Sequence, residues 1–212
     1  MTIATLWTST RTNGTVAHMV AAASALPIEY RFISLRGGDH KTPGYLALNP
    51  KGEVPALDVG GGVVVTENPA ICTWIADMAP GAGLLPTSHP QRAKALEWMA
   101  WCQFTTARAF FLALGARRIA GDDAAAAAVI KADGLRRSQA ALALADAAIQ
   151  PDGTLLGTGQ VMVPDIHLFM LTTFAGFASI DITQMAGLQR LRATVGANPG
   201  VQAALARETA IG

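Results

Sequence analysis

The sequence has little cysteine and no long hydrophobic run. Its two cysteines, Cys72 and Cys102, lie far apart with no second pair and no histidine nearby, which excludes a thiolate zinc site and a disulfide framework. Although 51% of the residues are hydrophobic, much of this excess is alanine, and no apolar stretch approaches the roughly 20 residues that a membrane-spanning helix needs. We therefore expect a soluble protein without a metal, whose thiols are buried and reduced.

An excess of positive charge is also missing. The 16 lysines and arginines are balanced by 15 aspartates and glutamates, and no long basic run occurs, so the sequence lacks the charge that nucleic-acid binding requires. The first five residues contain no basic segment followed by an apolar stretch, as a secretory signal would. We expect a cytoplasmic protein that binds neither nucleic acid nor a membrane.

The first 80 residues combine short β-rich runs with amphipathic helix patterns. Strands are predicted at residues 3–8, 28–35, 56–59 and 63–65. Between the first two, apolar residues from Val16 to Ala23 follow the i, i+3, i+4, i+7 spacing of a helix, as a right-handed parallel crossover requires. The last two are joined by three glycines, which indicates an antiparallel hairpin. The pattern therefore predicts a mixed four-stranded sheet.

Only the helical period occurs after residue 90. The pair Asn68-Pro69, as N-cap and first helical residue, predicts the last helix of the first part, and residues 79–86 are rich in helix-breaking residues. Further helices are predicted over residues 91–118, 122–149, 163–178, 183–195 and 199–207. Asp122 is the predicted cap of the alanine-rich second one. We thus predict an α/β domain over residues 1–79, a linker over 80–89 and an all-helical domain over 90–212.

Two segments resemble the glutathione-binding core of bacterial glutathione S-transferases. They are the stretch from Tyr45 to Leu57, with its Glu-Val-Pro sequence, and the stretch from Thr66 to Ile71, with its Glu-Asn helix start. Similarity to the beta-like group continues through the linker and the helical part, to Asn-Pro-Gly-Val at residues 198–201. The resemblance implies an α/β thioredoxin-like N-terminal domain plus an all-α C-terminal helical bundle. It also implies a homodimer that uses glutathione as co-substrate.

The same resemblance implies which residues bind glutathione. The Val54-Pro55 bond would be cis, so that the backbone of Val54 pairs with the cysteinyl part of the ligand; the alternative is a trans proline that opens a strand. Glu67 and the amides at Asn68 would bind the charged γ-glutamyl end. Lys51 or Arg36 would be the cation for the glycyl end, and Glu53, which stands where the family often has an amide or a base, departs from the pattern.

The residue that activates the thiol also departs from the beta-like pattern. A free thiol with a pKa of about 8.5 is mostly protonated at neutral pH and needs a donor to become thiolate. Counting back from Leu26-Pro27, the cysteine of that group is replaced by Asn13, and Asn13-Gly14 resembles a related group that uses asparagine. Thr12 and then Ser9 are the alternative donors. Asn13 is also consistent with a plain turn residue or helix cap.

The helical part suggests a pocket for a second substrate. The adjacent His-Lys pair of the beta-like group is replaced by Ala107-Arg108, and we predict that Arg108, Trp101 and Thr105 line a pocket for a small hydrophobic electrophile. The leading hypothesis is conjugation of glutathione to that electrophile. The alternatives are a glutathione-dependent isomerase, reductase or ether-cleaving enzyme, and a glutathione-binding protein that has lost catalysis, since the cysteine and histidine are absent.

Overall fold

The computed structural model describes residues 2–211, which form two compact units. The first contains residues 2–85 together with 197–211, and the second contains residues 86–196. These units differ in one respect from the predicted domain ranges, because the last helix groups with the first unit. Met1 and Gly212, the two ends of those ranges, lie outside the described residues.

The first unit is a four-stranded sheet with helices. Its elements are β1 (Ala4–Thr8), α1 (Thr15–Ser24), β2 (Ile28–Phe32), a 3-10 turn (Asp39–Lys41), α2 (Pro43–Leu48), β3 (Ala56–Asp58), β4 (Val64–Thr66), α3 (Asn68–Met78), a second 3-10 turn (Pro80–Ala82) and α9 (Pro199–Ile211). The strand order is β2-β1-β3-β4. β1 is parallel to β2 and antiparallel to β3, which is antiparallel to β4. The mixed sheet and its hairpin are as predicted.

The core of this unit follows from two periodicities. Along β1, Ala4, Leu6 and Thr8 are buried while the residues between them are partly exposed, as expected for a strand whose side chains alternate between two faces. In α1, Val16, Met19 and Val20 are completely buried, which matches the predicted apolar stripe. The parallel pairing of β1 and β2 requires the crossover that α1 provides.

Two features of the first unit differ from the predictions. The helix α2 was not predicted, because it is only six residues long and Tyr45 is its one buried residue. Asn68 is not a side-chain cap: α3 begins at Asn68 itself, and the residue before it, Glu67, makes no capping hydrogen bond through its side chain. The Asn68 amide group instead donates to the carbonyl oxygen of Asn13 at 2.8 Å.

The second unit is entirely helical. Its elements are α4 (His89–Trp101), a π-helical turn (Cys102–Thr106), α5 (Ala107–Ala120), α6 (Ala124–Ala148), α7 (Val163–Phe177) and α8 (Ala186–Gly196). The single helix predicted over residues 91–118 is thus interrupted by the π turn. The cap of α6 is Asp123 rather than Asp122, since Asp123 Oδ1 accepts from Ala126 N at 2.9 Å.

The start of α7 depends on one buried carboxylate. Asp165 accepts hydrogen bonds from the backbone N–H groups of Met162 and Leu155, both at 2.8 Å. Met162 has no side-chain oxygen to return the bond, as the sequence indicated, so Asp165 supplies the capping interaction alone. Burial raises the pKa of Asp165 to about 6, although these two hydrogen bonds act in the opposite direction.

Glycines allow two pairs of helices to approach closely. A Cβ atom at Gly134 of α6 would lie 2.9 Å from the Cα atom of Ala113 in α5. In the first unit, a Cβ atom at Gly200 of α9 would lie 2.6 Å from the backbone nitrogen of Ala23 in α1. Such distances leave no room for a side chain, so α9 packs directly on the backbone of α1.

We expect Gly200→Ala to destabilise the protein by about 1 to 3 kcal/mol, because the added methyl group must displace the backbone of α1. Gly176→Ala is the matched control: Gly176 also lies in a helix, but an added Cβ atom has nothing within 4 Å, so stability should be unchanged or slightly higher. Urea unfolding would measure both. Equal midpoints for the two variants would contradict the close packing of α9 on α1.

Candidate functional site

The loop before β3 presents a section of unpaired backbone. The Val54-Pro55 peptide bond is cis, as the family resemblance implied, and Pro55 is buried. Neither the N–H nor the C=O of Val54 forms a hydrogen bond with another residue in the described part of the chain. Backbone donors and acceptors of this kind can pair with an extended peptide in the manner of an added strand.

Side chains from the region of α2 hold this loop in place. The Tyr45 hydroxyl and the Asn49 amide both donate to the carbonyl oxygen of Glu53, at 2.6 and 2.8 Å. Lys41 Nζ donates to the carbonyl oxygen of Gly52 at 2.9 Å. Glu53 itself is exposed, and its carboxylate has no partner among the described residues. The helix that the sequence failed to predict is therefore what positions Val54.

Glu67 lies directly before α3 with a positive φ of 70°, a backbone conformation that is uncommon for a residue other than glycine. Its Oε1 atom is 2.7 Å from Lys51 Nζ, which also donates to the hydroxyl of Thr66 at 2.8 Å. Its second oxygen, Oε2, accepts no hydrogen bond from the described residues. Lys51, one of the two cations proposed for the glycyl end, is thus paired with Glu67. The other, Arg36, is exposed in the turn after β2.

The beginnings of α1 and α3 are directly connected. Asn68 is buried, and its Nδ2 atom donates to the carbonyl oxygen of Asn13 across a gap of 55 residues in sequence. Asn13 is 8% exposed and precedes α1 by two residues. Two of the predicted site residues, one proposed for the thiol and one for the γ-glutamyl end, are therefore neighbours in the fold.

The two alternative hydroxyl donors differ in their hydrogen bonds. Thr12 Oγ1 donates to the carbonyl oxygen of Ser9 at 2.8 Å and accepts from Gly14 N at 3.1 Å, so its only proton is already used within the loop. Ser9 is 7% exposed, and its hydroxyl has no partner among residues 2–211. Between these two residues, Ser9 is the better placed to donate to a ligand.

Close packing around position 14 leaves no room for a side chain there. A Cβ atom at position 14 would lie 2.6 Å from the Oγ1 atom of Thr8 and 3.2 Å from that of Thr12. Thr8 is completely buried at the end of β1. The Asn-Gly pair is thus explained at its second position by close packing on β1, without a need for positive φ.

A buried acidic residue near the C-terminus reaches the same loop, and the sequence did not indicate it. Glu208 of α9 is 6% exposed. Its Oε2 atom accepts from the backbone N–H of Arg11 and the hydroxyl of Thr15, and its Oε1 atom lies against His18 Nδ1, all at 3.0 Å. The partners are 190 or more residues apart in sequence, so local spacing gave no signal for them.

The two cysteines are poor candidates for thiol chemistry. Cys72 and Cys102 are both free thiols and fully buried, as predicted. Burial raises the pKa of each thiol well above its ordinary value, and the negative charge of Asp165 adds to the effect at Cys102. Neither is suited to act as a thiolate at neutral pH.

The predicted pocket residues all belong to the second unit. Trp101, the last residue of α4, is half-buried and packs edge-to-face against Trp98 at 5.3 Å between ring centroids. Thr105 lies in the π turn and Arg108 in the first turn of α5, and both side chains are exposed.

No group of three or more histidine, cysteine or acidic residues that could bind a metal occurs within residues 2–211. The same residues contain no helix that is long and apolar enough to cross a membrane.

Known proteins resemble this chain, some over a part of it and some over nearly all of it. A family profile described as "Glutathione S-transferase, N-terminal domain" matches residues 13–78. Glutathione S-transferase GST-4.5 of Xanthomonas campestris is 30% identical over 192 residues, which are 90% of this chain and 92% of that protein. Maleylacetoacetate isomerase of Pseudomonas aeruginosa is 43% identical, but over only 27% of either chain. A sphingomonad glutathione S-transferase, solved in complex with glutathione, has a TM-score of 0.84 at 25% identity and covers 97% of this chain and 98% of its own.

These results define the class of protein and then its family. A thioredoxin-like sheet domain with a helical second part is the glutathione S-transferase fold, which confirms the predicted fold class. The chain belongs to the glutathione S-transferase family, because the Xanthomonas relative aligns with it across nearly its full length.

Proposed function

We propose that this protein is a cytoplasmic glutathione transferase of the beta-like group, which joins the glutathione thiolate to a small hydrophobic electrophile. The observation that carries the proposal is the unpaired backbone of Val54, held by Tyr45 and Asn49 in a loop that can pair with a peptide. The glutathione bound in the sphingomonad relative supports the identity of that peptide.

The first unit carries groups that suit the cysteinyl backbone and the γ-glutamyl end of glutathione. Val54 pairs with the cysteinyl backbone, next to Pro55. The free Oε2 atom of Glu67 accepts from the γ-glutamyl ammonium, while Lys51 keeps the other oxygen in place. The amides at Asn68, at the positive end of the α3 dipole, bind the γ-glutamyl carboxylate.

Glu67→Ala should weaken glutathione binding at least about tenfold, because a hydrogen bond to a charged group contributes about 1.5 to 3 kcal/mol. Calorimetry measures this directly. Glu29→Ala is the matched control: Glu29 is also half-exposed and paired with a basic residue, but it lies on β2, at the opposite edge of the sheet from β4. If the unmutated protein fails to bind glutathione at millimolar concentration, the proposal is wrong.

The thiol is activated at the loop between β1 and α1. We propose that Asn13 donates to the sulfur, with the positive end of the α1 dipole favouring the thiolate. Ser9 is the second candidate. Thr12, the remaining candidate from the sequence, must first release the carbonyl oxygen of Ser9 to serve as donor.

In the unmutated complex, thiolate absorbance in the ultraviolet should show a glutathione pKa well below 8.5, and Asn13→Ala should return it toward the free value. Cys72→Ala and Cys102→Ala serve as controls that change nothing, since both thiols are buried. A lowered pKa that survives Asn13→Ala but is lost in Ser9→Ala or Thr12→Ala would move the donor to that hydroxyl. An ordinary pKa in the unmutated complex would instead favour a binding protein without catalysis.

The second substrate would contact Trp101, Thr105 and Arg108, where an exposed guanidinium group can attract an anionic part of the molecule.

A glutathione-dependent isomerase is a second candidate function, supported by the similarity of part of the chain to the Pseudomonas isomerase. The two reactions differ in their balance: conjugation consumes one glutathione for each product molecule, whereas isomerisation regenerates it. Titrating the remaining thiol during turnover of an aryl halide and of maleylacetoacetate would separate them.

We also propose a homodimer, in which the first domain of one subunit packs on the helical domain of the other. An open, largely apolar groove on β4 and α3 supports this proposal; it is lined by Val65, Pro69, Ala70, Thr73, Trp74 and Asp77.

Light scattering at micromolar concentration should give twice the 22.0 kDa mass of the chain. Ala70→Asp places a charge in the exposed groove and should shift the mass toward that of the monomer. A monomer for the unmutated protein would contradict the dimer, and a dimer for both proteins would place the interface elsewhere.

A further inference from the structure

The loop at residues 9–14 is fixed from outside its own segment by Glu208. The carboxylate accepts the N–H of Arg11 and the hydroxyl of Thr15, so it bonds to the chain on both sides of Asn13. Arg11 has a φ of 57°, in the left-handed region that a residue with a side chain seldom adopts. The bond to Glu208 stabilises that conformation in the residue that turns the loop.

The hydrogen-bond roles of the two ring nitrogens of His18 follow from its neighbours. The ring is completely buried, with Nε2 at 2.9 Å from Arg207 Nη1 and Nδ1 at 3.0 Å from Glu208 Oε1. A guanidinium group can only donate hydrogen bonds, so Nε2 accepts and the proton of the neutral ring is on Nδ1. His18 therefore donates to Glu208, and the carboxylate is surrounded by three donors.

The helix that carries Glu208 is itself firmly placed. Gly200 brings α9 against the backbone of α1 at Ala23. The guanidinium group of Arg207 also lies over the ring of Tyr30 in β2, 4.6 Å from its centroid, a favourable cation–π distance. The position of the carboxylate is thus determined by contacts at two separate points of the first unit.

We propose that Glu208 is a positioning residue for thiol activation: it holds the loop in the conformation that directs Asn13 or Ser9 toward the sulfur of glutathione. This inference rests on the proposed function. Without Glu208, the Arg11 amide and the Thr15 hydroxyl lose their common acceptor, and the loop can relax between them. The groups that recognise the peptide, Val54 and Glu67, lie on other segments and have no bond to Glu208.

The test compares Glu208→Ala, Glu208→Gln and the control Glu29→Ala with two ligands. Glutathione reports the thiol pKa by its ultraviolet absorbance. S-methylglutathione has no thiol and reports peptide recognition alone, by calorimetry. In Glu208→Ala we expect a thiolate fraction at neutral pH about tenfold lower, with the Kd for S-methylglutathione changed less than about twofold. Glu208→Gln keeps one oxygen for Arg11 and Thr15 but turns its NH2 group toward the N–H of His18, so it should recover part of the thiolate.

A merely structural role predicts something different, namely that S-methylglutathione binding falls together with the thiolate. That result, or an unchanged thiolate fraction in Glu208→Ala, would overturn the inference. If Glu208→Ala does not fold, Thr15→Val removes one of the three donors with little change in shape. Thr15→Val should lower the thiolate fraction by a smaller factor and leave the Kd for S-methylglutathione unchanged. An unchanged thiolate fraction in this variant would also count against the role of Glu208.

Hydrogen exchange separates this inference from the proposed function. In the protein without ligand, the Arg11 amide should exchange faster in Glu208→Ala than in Glu29→Ala, because its acceptor is gone. Unchanged exchange contradicts the positioning role, even if glutathione is activated normally. Faster exchange, combined with an ordinary thiol pKa in the unmutated complex, supports the contact to the loop but refutes activation by that loop.

Discussion

A buried carboxylate must have its hydrogen bonds satisfied, and this requirement at Glu208 determines how the two ends of the chain meet in the first unit. Its three donors come from the loop after β1 and from α1. Gly200 lets α9, the helix that carries Glu208, pack against the backbone of α1. The conformation of Arg11, and with it the place of Asn13, depends on this arrangement.

The same unit combines rigid and open parts. The Asn68 side chain connects α3 to the loop of Asn13, and Tyr45 and Asn49 fix the carbonyl of Glu53 beside Val54. Within residues 2–211, these contacts leave the backbone of Val54 and one oxygen of Glu67 without a partner. A peptide with a charged amino end can pair with both. Preorganised groups of this kind bind with little loss of conformational freedom.

Much of the fold could be predicted because its signals are local. The alternation in β1, the stripe of α1 and the glycine hairpin each occupy a few consecutive residues, and the cis proline followed from the motif around it. The predictions were wrong where contacts between residues distant in sequence override the local preference for a cap or a continuous helix. Asn68 resembles an N-cap, yet it donates to Asn13, and one continuous helical pattern hides the π turn at residues 102–106. Helix α2 is too short to show a period.

The sequence by itself determined the fold class and the position of the cis Val54-Pro55 bond, since both depend on patterns within short segments. Only the tertiary structure decided the hydrogen bonds of the loop between β1 and α1. The hydroxyl of Thr12 donates within the loop, that of Ser9 has no partner in the described part of the chain, and Glu208 bonds to the chain on either side of Asn13. The physical reason is the sequence separation of the residues that form these contacts. A hydrogen bond between residues some 190 positions apart leaves no periodicity in the sequence, because it depends on how helices pack and not on the spacing along any one of them.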